Sequence, residues 1–212
     1  MKYLFLITST IHVGNARTIF SPEQRLEQTI NTINTIKCKI NDPLIYLFES
    51  SELDNNEKTK ILEQGVNLVV LNNIDFINDR TKNINQSIGE IAIMKYSLDY
   101  LFENNILDDI DYLFKISGRY YLNDVFDLTK ICDSNKYTFR LFQNNSNKWL
   151  STVLYCVPSI KFKEFTDTVN NGLDKISVNI ETYYGKHLHD IKEAEYIGVS
   201  GRISHSGEYI EH

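Results

Sequence analysis

The sequence predicts an α/β protein: one domain over residues 1–212, built on a wound, mostly parallel sheet with helices on both faces. Three observations predict it. The apolar runs at 3–7, 44–48 and 67–71 have the continuous hydrophobic character of buried parallel strands. Helix signals alternate with them at the spacing of βαβ units. The first two runs end in polar stretches, Thr8-Ser9-Thr10 and Glu49-Ser50-Ser51, and right-handed crossovers bring all three strand ends to the same side.

Taken in order, the first strand opens into a hydroxyl-rich loop running through His12, Gly14 and Asn15 to Arg17. Ser21-Pro22-Glu23-Gln24 then starts a helix: Ser21 caps, Pro22 suits the first helical position, and Gln24 completes a capping box. Leu26, Ile30, Ile33 and Ile36 form its apolar stripe, with Arg25, Glu27, Asn31 and Asn34 outside it. Asn41-Asp42-Pro43 precedes the second strand, and a helix over 54–64, closed by Gly65, leads to the third. Residues 72–86 are polar and poorly periodic and read as a loop near the ligand face. A helix over 87–104 follows, its buried face Ile88, Ile91, Met94, Leu98 and Leu101. Beyond a strand starting at Tyr112 come a short helix near 125–131 and strands at 137–142 and 149–155, joined by a turn over 144–147. Helices over 158–169 and 173–189 and a Gly- and Ser-rich tail with a final short strand complete the chain.

Composition excludes several classes. Hydrophobic residues at 42% and aromatics at 12% belong to a packed core, not a disordered chain. A net charge of −6 argues against a general nucleic-acid binder, which needs a basic face, but not against a small anion held by local cations. Cys38, Cys132 and Cys156 lack metal-ligand spacing and are odd in number, so neither a zinc site nor a disulfide framework is expected. The N-terminal apolar run is too short for a signal peptide, and no run nears the roughly 20 residues of a membrane span. A cytoplasmic location is the expectation.

The candidate site centres on Asp111-Tyr112-Leu113-Phe114-Lys115-Ile116-Ser117-Gly118-Arg119-Tyr120-Tyr121-Leu122-Asn123. An apolar strand here breaks into a glycine flanked by cations and hydroxyls, which suits an anion at a strand's carboxyl end. Gly118 permits a sharp turn or close approach to a ligand. Lys115 and Arg119 are candidates to neutralise phosphate, Arg as a planar fork and Lys as a point charge. No Gly-x-x-x-x-Gly-Lys-Ser/Thr loop and no Gly-x-Gly-x-x-Gly fingerprint follows a strand, which disfavours nucleotidyl- or phosphoryl-transferring α/β proteins.

On Arg17, Phe20-Ser21-Pro22-Glu23, Arg25, Gln28, Thr29, Gly89-Glu90 and 115–120, the chain resembles nucleotide-sugar glycosyltransferases. These have the GT-A fold, a Rossmann-like wound mixed sheet. More narrowly it resembles small glycan-locus proteins with a Lys-x-Ser-Gly-Arg-Tyr motif. The resemblance implies transfer of a sugar from a nucleotide donor to a glycan, lipid-linked or protein-linked hydroxyl. It implies donor contacts from Thr8, Ser9, Thr10, Arg17, Glu49, Glu90, Ser117, Gly118 and Tyr120, with His205 approaching the diphosphate. Glu181 is the implied base, in which case displacement is direct and inverting, and Tyr121, Tyr183 and Tyr184 are further stacking candidates. The family's Asp-x-Asp, which grips a divalent cation, is replaced by Ser117-Gly118-Arg119. No metal site is therefore assigned, and Lys115 and Arg119 are expected to do the cation's work. The metal-binding alternatives draw on Asp75, Asp79 or Asp111, or on Glu181 with His187 and His189. The missing motif also leaves open a non-catalytic nucleotide- or carbohydrate-binding module.

Overall fold

The computed structural model describes residues 1–14, 17–82, 85–144, 147–175 and 179–212, without the side chains of 143, 144, 147 and 148. Strands β1 (Tyr3–Ser9), β2 (Leu44–Glu49), β3 (Asn67–Val70) and β4 (Tyr112–Ser117) run parallel in the order β3-β2-β1-β4. Strand β5 (Tyr120–Leu122) leaves this sheet, and β6 (Tyr137–Asn144), β7 (Asn147–Pro158) and β8 (Ile191–Ala194) extend it as β4-β7-β6-β8. Strand β7 is antiparallel to both β4 and β6. Strands β9 (Val199–Arg202) and β10 (Tyr209–Glu211) join β5 in a small antiparallel sheet. This is the wound, mixed α/β sheet that the apolar runs imply.

Alternation along β1 divides the core. Leu4 and Leu6 face one apolar layer, and Phe5 and Ile7 face the other. The first layer is covered by α4 (Gln86–Glu103), α6 (Phe162–Gly172) and α7 (Ile180–His187), the second chiefly by α1 (Pro22–Lys39) and α2 (Asn55–Leu62). The expected capping box forms, Ser21 with Gln24 at α1, and a further one, Asp54 with Glu57, starts α2.

The stretch 72–86 departs from expectation. It holds α3 (Asp75–Thr81), because Ile77 is fully buried and Arg80 lies 4.0 Å over the Phe76 ring. A seven-residue helix with few apolar positions leaves too faint a period to read. The expected helix near 125–131 shortens to α5 (Leu128–Ile131), and that over 173–189 to α7. Residues 145 and 146 of the expected turn, and 176–178 before α7, lie outside the described residues. Among the described residues no helix is long and apolar enough to cross a membrane.

Candidate active site

Strand order reverses between β1 and β4, since β2 and β3 lie to one side and β4 to the other. Ligands of open α/β sheets bind in the crevice at such a switch point, beyond the carboxyl ends of the strands. A cleft opens there, lined by Thr8, Ser9 and Thr10 after β1, by Ser117, Gly118 and Arg119 after β4, and by Arg25 and Thr29 of α1. Arg17, Thr81, Gln86, Glu90 and Ser204 add to its polar lining.

Threonines on α1 hold the Ser117–Tyr120 backbone. Thr29 Oγ1 donates to the Gly118 carbonyl at 3.1 Å, and Thr32 Oγ1 to the Tyr120 carbonyl at 2.6 Å. The Gly118 amide in turn donates to the Thr8 carbonyl at 2.9 Å. A Cβ on Gly118 would stand 3.0 Å from Thr29 Oγ1 and 3.2 Å from Ser9 Cβ. The glycine is thus required for packing of β4 against β1 and α1, and its φ is not positive. Gly118 lies in the turn between β4 and β5 and lines the cleft.

Arg25, placed outside the apolar stripe by its helical position, is 4% exposed. Its Nε donates to the Thr10 carbonyl at 2.7 Å and its Nη1 to Ser204 Oγ at 3.1 Å. Burial, then the charge of Arg119, lowers its pKa to about 10, while Glu49 opposes the fall. Arg119 itself lies over Tyr120, 5.4 Å from the ring centroid, and its buried Nε has no hydrogen-bond partner among the described residues. Arg17 donates to the carbonyls of Thr81 and Lys82 at the end of α3. Three guanidinium groups therefore line one cleft, and Glu90 is the carboxylate among the lining residues.

Two expected ligand contacts lie behind the cleft instead. Lys115 is fully buried, and its ammonium donates to Glu90 Oε1 at 2.6 Å, Ser117 Oγ at 3.0 Å and the Thr152 carbonyl at 2.6 Å. All three of its protons are engaged, so the expected direct meeting with phosphate is not what the geometry provides. Glu49 is also fully buried and absent from the lining. Its Oε1 accepts from the Ile11 and Ser51 amides and the Ser51 hydroxyl, tying the loop after β1 to the end of β2. Burial pushes its carboxyl above the usual range.

His205 is exposed and lines neither cavity; its neighbour Ser204 faces the cleft, bonded to Arg25 and to the Arg17 carbonyl. Tyr120, 4% exposed, turns away from this cleft into an adjoining groove that Glu181 also lines. Glu181 stands in the first turn of α7 and accepts from Thr152 Oγ1 at 3.3 Å. Burial and the nearby charge of Glu90 raise its pKa, with Thr152 and Lys115 opposing. Tyr183 and Tyr184 are core rings. Asp111 sits at the opposite end of β4, bonded to the Lys2 amide, and Asp75 and Asp79 are exposed on α3. Among the described residues no three His, Cys, Asp or Glu side chains group to hold a metal.

The structure thus gathers Thr8, Ser9, Thr10, Arg17, Glu90, Ser117, Gly118 and Arg119 into one cleft. It adds Arg25 and Ser204, which sequence reasoning did not select as site residues. Arg25 had a signal, its place one helical turn before Thr29 in the quoted motif; Ser204 had none.

Sheet order, switch point and cleft together are those of the GT-A fold, and solved structures similar to this chain include glycosyltransferases. The galactosyltransferase LgtC, solved with donor and acceptor sugar analogs, superposes with a TM-score of 0.56 at 6% identity, over 90% of this chain and 73% of LgtC. An active-site mutant of LgtC gives 0.55 at 9% identity, over 90% and 72%. Core-mannan synthase A from Aspergillus fumigatus, in a Mn/GDP form, gives 0.52 at 8% identity, over 90% and 72%. At such identities the likeness is one of fold. No family model matches the sequence, and no curated protein does.

Proposed function

We propose that this chain is a glycosyltransferase that moves a sugar from a nucleotide-sugar donor to a hydroxyl of a glycan or a lipid- or protein-linked acceptor. The observation that carries the reading is the arginine pair of the switch-point cleft. Burial and the neighbouring Arg119 charge both disfavour the Arg25 cation, and Arg119 Nε is left without a partner among the described residues. Such an arrangement is relieved by an anion with several oxygens, as a diphosphate is.

In this reading Arg119 and Arg25 neutralise the donor phosphates, flanked by the hydroxyls of Thr8, Ser9, Thr10 and Ser117. Glu181 takes the proton of the acceptor hydroxyl, whose oxygen bonds to the anomeric carbon. The bond from that carbon to phosphate breaks, and its electron pair leaves on the nucleoside diphosphate, where the guanidinium groups stabilise it. Direct displacement of this kind inverts the anomeric centre. Lys115 acts from behind, fixing Glu90 at the cleft wall.

A divalent cation, as in the manganese form of core-mannan synthase A, does not fit these residues. Hard cations need several oxygen ligands. Among the described residues the cleft offers one carboxylate, already paired with Lys115, among three guanidinium groups.

The test is a thermal-shift panel of nucleotides and nucleotide sugars, with manganese and with chelator, followed by transfer assays. A saturable shift that survives chelator, and weakens at least about tenfold in Arg25→Ala and Arg119→Ala, is expected. Glu181→Gln should keep the nucleotide shift while kcat for transfer falls about 100-fold or more. Wild-type kcat should rise with pH through a value above the ordinary carboxylate range, because Glu181 must be ionised to act. No shift with any nucleotide sinks the reading, a shift that requires manganese sinks its metal-free form, and binding without turnover assigns a non-catalytic module.

A further inference from the structure

A second groove adjoins the cleft. It is lined by Phe142, Trp149, Thr152, Asn179, Glu181 and His212, with Tyr120 and several aliphatic side chains between them. At about 390 Å³ it falls in the range of about 300–1,000 Å³ typical of small-molecule sites. The two cavities share a wall. Buried Lys115 binds Glu90 of the first and the carbonyl of Thr152 in the second, and the Thr152 hydroxyl donates to Glu181.

Their electrostatics are opposed. The cleft presents three arginines, whereas among the described residues the groove's lining contains neither Lys nor Arg and has Glu181 on its polar side. The groove also carries an aromatic platform. Phe142 and Trp149 stack at 6.0 Å with an interplanar angle of 17°, and His212 meets Phe142 edge-on at 5.6 Å. Aromatic faces beside carboxylate, hydroxyl and amide groups match a pyranose, which has an apolar C–H face and an equatorial rim of hydroxyls. An anionic sugar would meet the Glu181 carboxylate, while the nearby cations are already engaged, Lys115 with Glu90 and Arg140 with the Glu211 carbonyl and over the Phe142 ring, 4.8 Å from its centroid.

We infer that this groove binds a neutral pyranoside, its ring against the Phe142–Trp149 pair and a hydroxyl on Glu181. The inference deepens the glycosyltransferase reading by naming the acceptor's chemistry, and it rests on that reading only for the word acceptor. The protein supplies its own probe, because Trp149 is its single tryptophan. Intrinsic fluorescence is titrated with neutral methyl hexopyranosides and disaccharides, and in parallel with the corresponding uronic acids. A saturable change with a neutral sugar is expected, about tenfold weaker in Glu181→Gln and in Asn179→Ala, and weaker still with the uronic acid. Nucleotide thermal shifts of both variants should match the wild type, which shows that they fold. Absence of a saturable change across the panel, preference for the uronic acid, or indifference to both substitutions overturns the inference. Nucleotide binding without sugar-dependent fluorescence refutes the groove alone. Sugar binding in a protein that ignores every nucleotide refutes the donor reading and leaves the groove standing.

Discussion

Glu49 holds three hydrogen bonds on one carboxylate oxygen, while its other oxygen, equally buried, has none from the described residues. Burial raises its pKa in the folded protein above the unfolded value of about 4.3. The folded state therefore keeps the proton longer, and stability falls as pH rises from the unfolded value through the raised one. Glu49→Gln retains an acceptor oxygen and lacks this titration. Urea midpoints measured from about pH 4 to pH 8 should fall more steeply in the wild type than in the variant. Parallel curves would mean that Glu49 is not the titrating group, because Glu181 contributes a decline of the same sign to both proteins. The same contrast of burial explains why Lys115 misled and Arg119 did not. Both are cations at one strand end, yet alternation sends Lys115 inward to Glu90 and Thr152, while Arg119 follows the break at Gly118 and reaches the cleft. A side chain's charge is legible in sequence, but the face it takes depends on what packs above it.

Helix α1 was half legible. Its capping box and its aliphatic stripe are local features, and Leu26, Ile33 and Ile36 are buried as their spacing requires. Its buried face is wider than that stripe, because Arg25, Thr29 and Thr32 are buried as well. Thr29 and Thr32 face in because the Gly118 and Tyr120 carbonyls lie at that height, partners more than 80 residues away in sequence, while Arg25 faces in toward the Thr10 carbonyl and Ser204. Gly118→Ala tests this junction. Thr29 Oγ1 is held by the Arg25 carbonyl, the Gly118 carbonyl and Ser9 Oγ, so it cannot yield to a new methyl group 3.0 Å away. We expect a loss of about 1–3 kcal/mol in urea denaturation, with nucleotide-induced stabilisation reduced. An unchanged midpoint would show that β4 and α1 separate freely.

Across the whole molecule, the site depends on contacts that close over nearly the full chain. Ser204 bonds Arg25 across 179 residues, and β9 pairs with β5 immediately after Arg119. Gly201 makes that pairing close: a Cβ there would lie 2.7 Å from the Arg119 carbonyl and 2.4 Å from Tyr120 Cδ1. Gly201→Ala must push β9 from β5 and shift Arg119. The expected result is a loss of about 1–3 kcal/mol in stability together with a nucleotide shift weakened as in Arg119→Ala. Destabilisation with full nucleotide affinity would show that Arg119 is placed independently of the small sheet. The molecule's charge also divides by scale: a chain of net −6 concentrates three arginines in one cleft, so overall acidity says nothing against a local anion site.

The sequence by itself determined the βαβ rhythm, the helix caps and the polar strand ends, because apolar period and capping act over a few residues and leave a local pattern. It also placed a cation-bearing break after the fourth buried strand. Only the tertiary structure decided that α3 is a helix, that Arg25 joins Arg119 while Lys115 retreats behind Glu90, and that Ser204 rather than His205 meets the cleft. Those outcomes follow from burial and from hydrogen-bond partners far away in the chain, and desolvation energy belongs to a three-dimensional environment, not to a residue type.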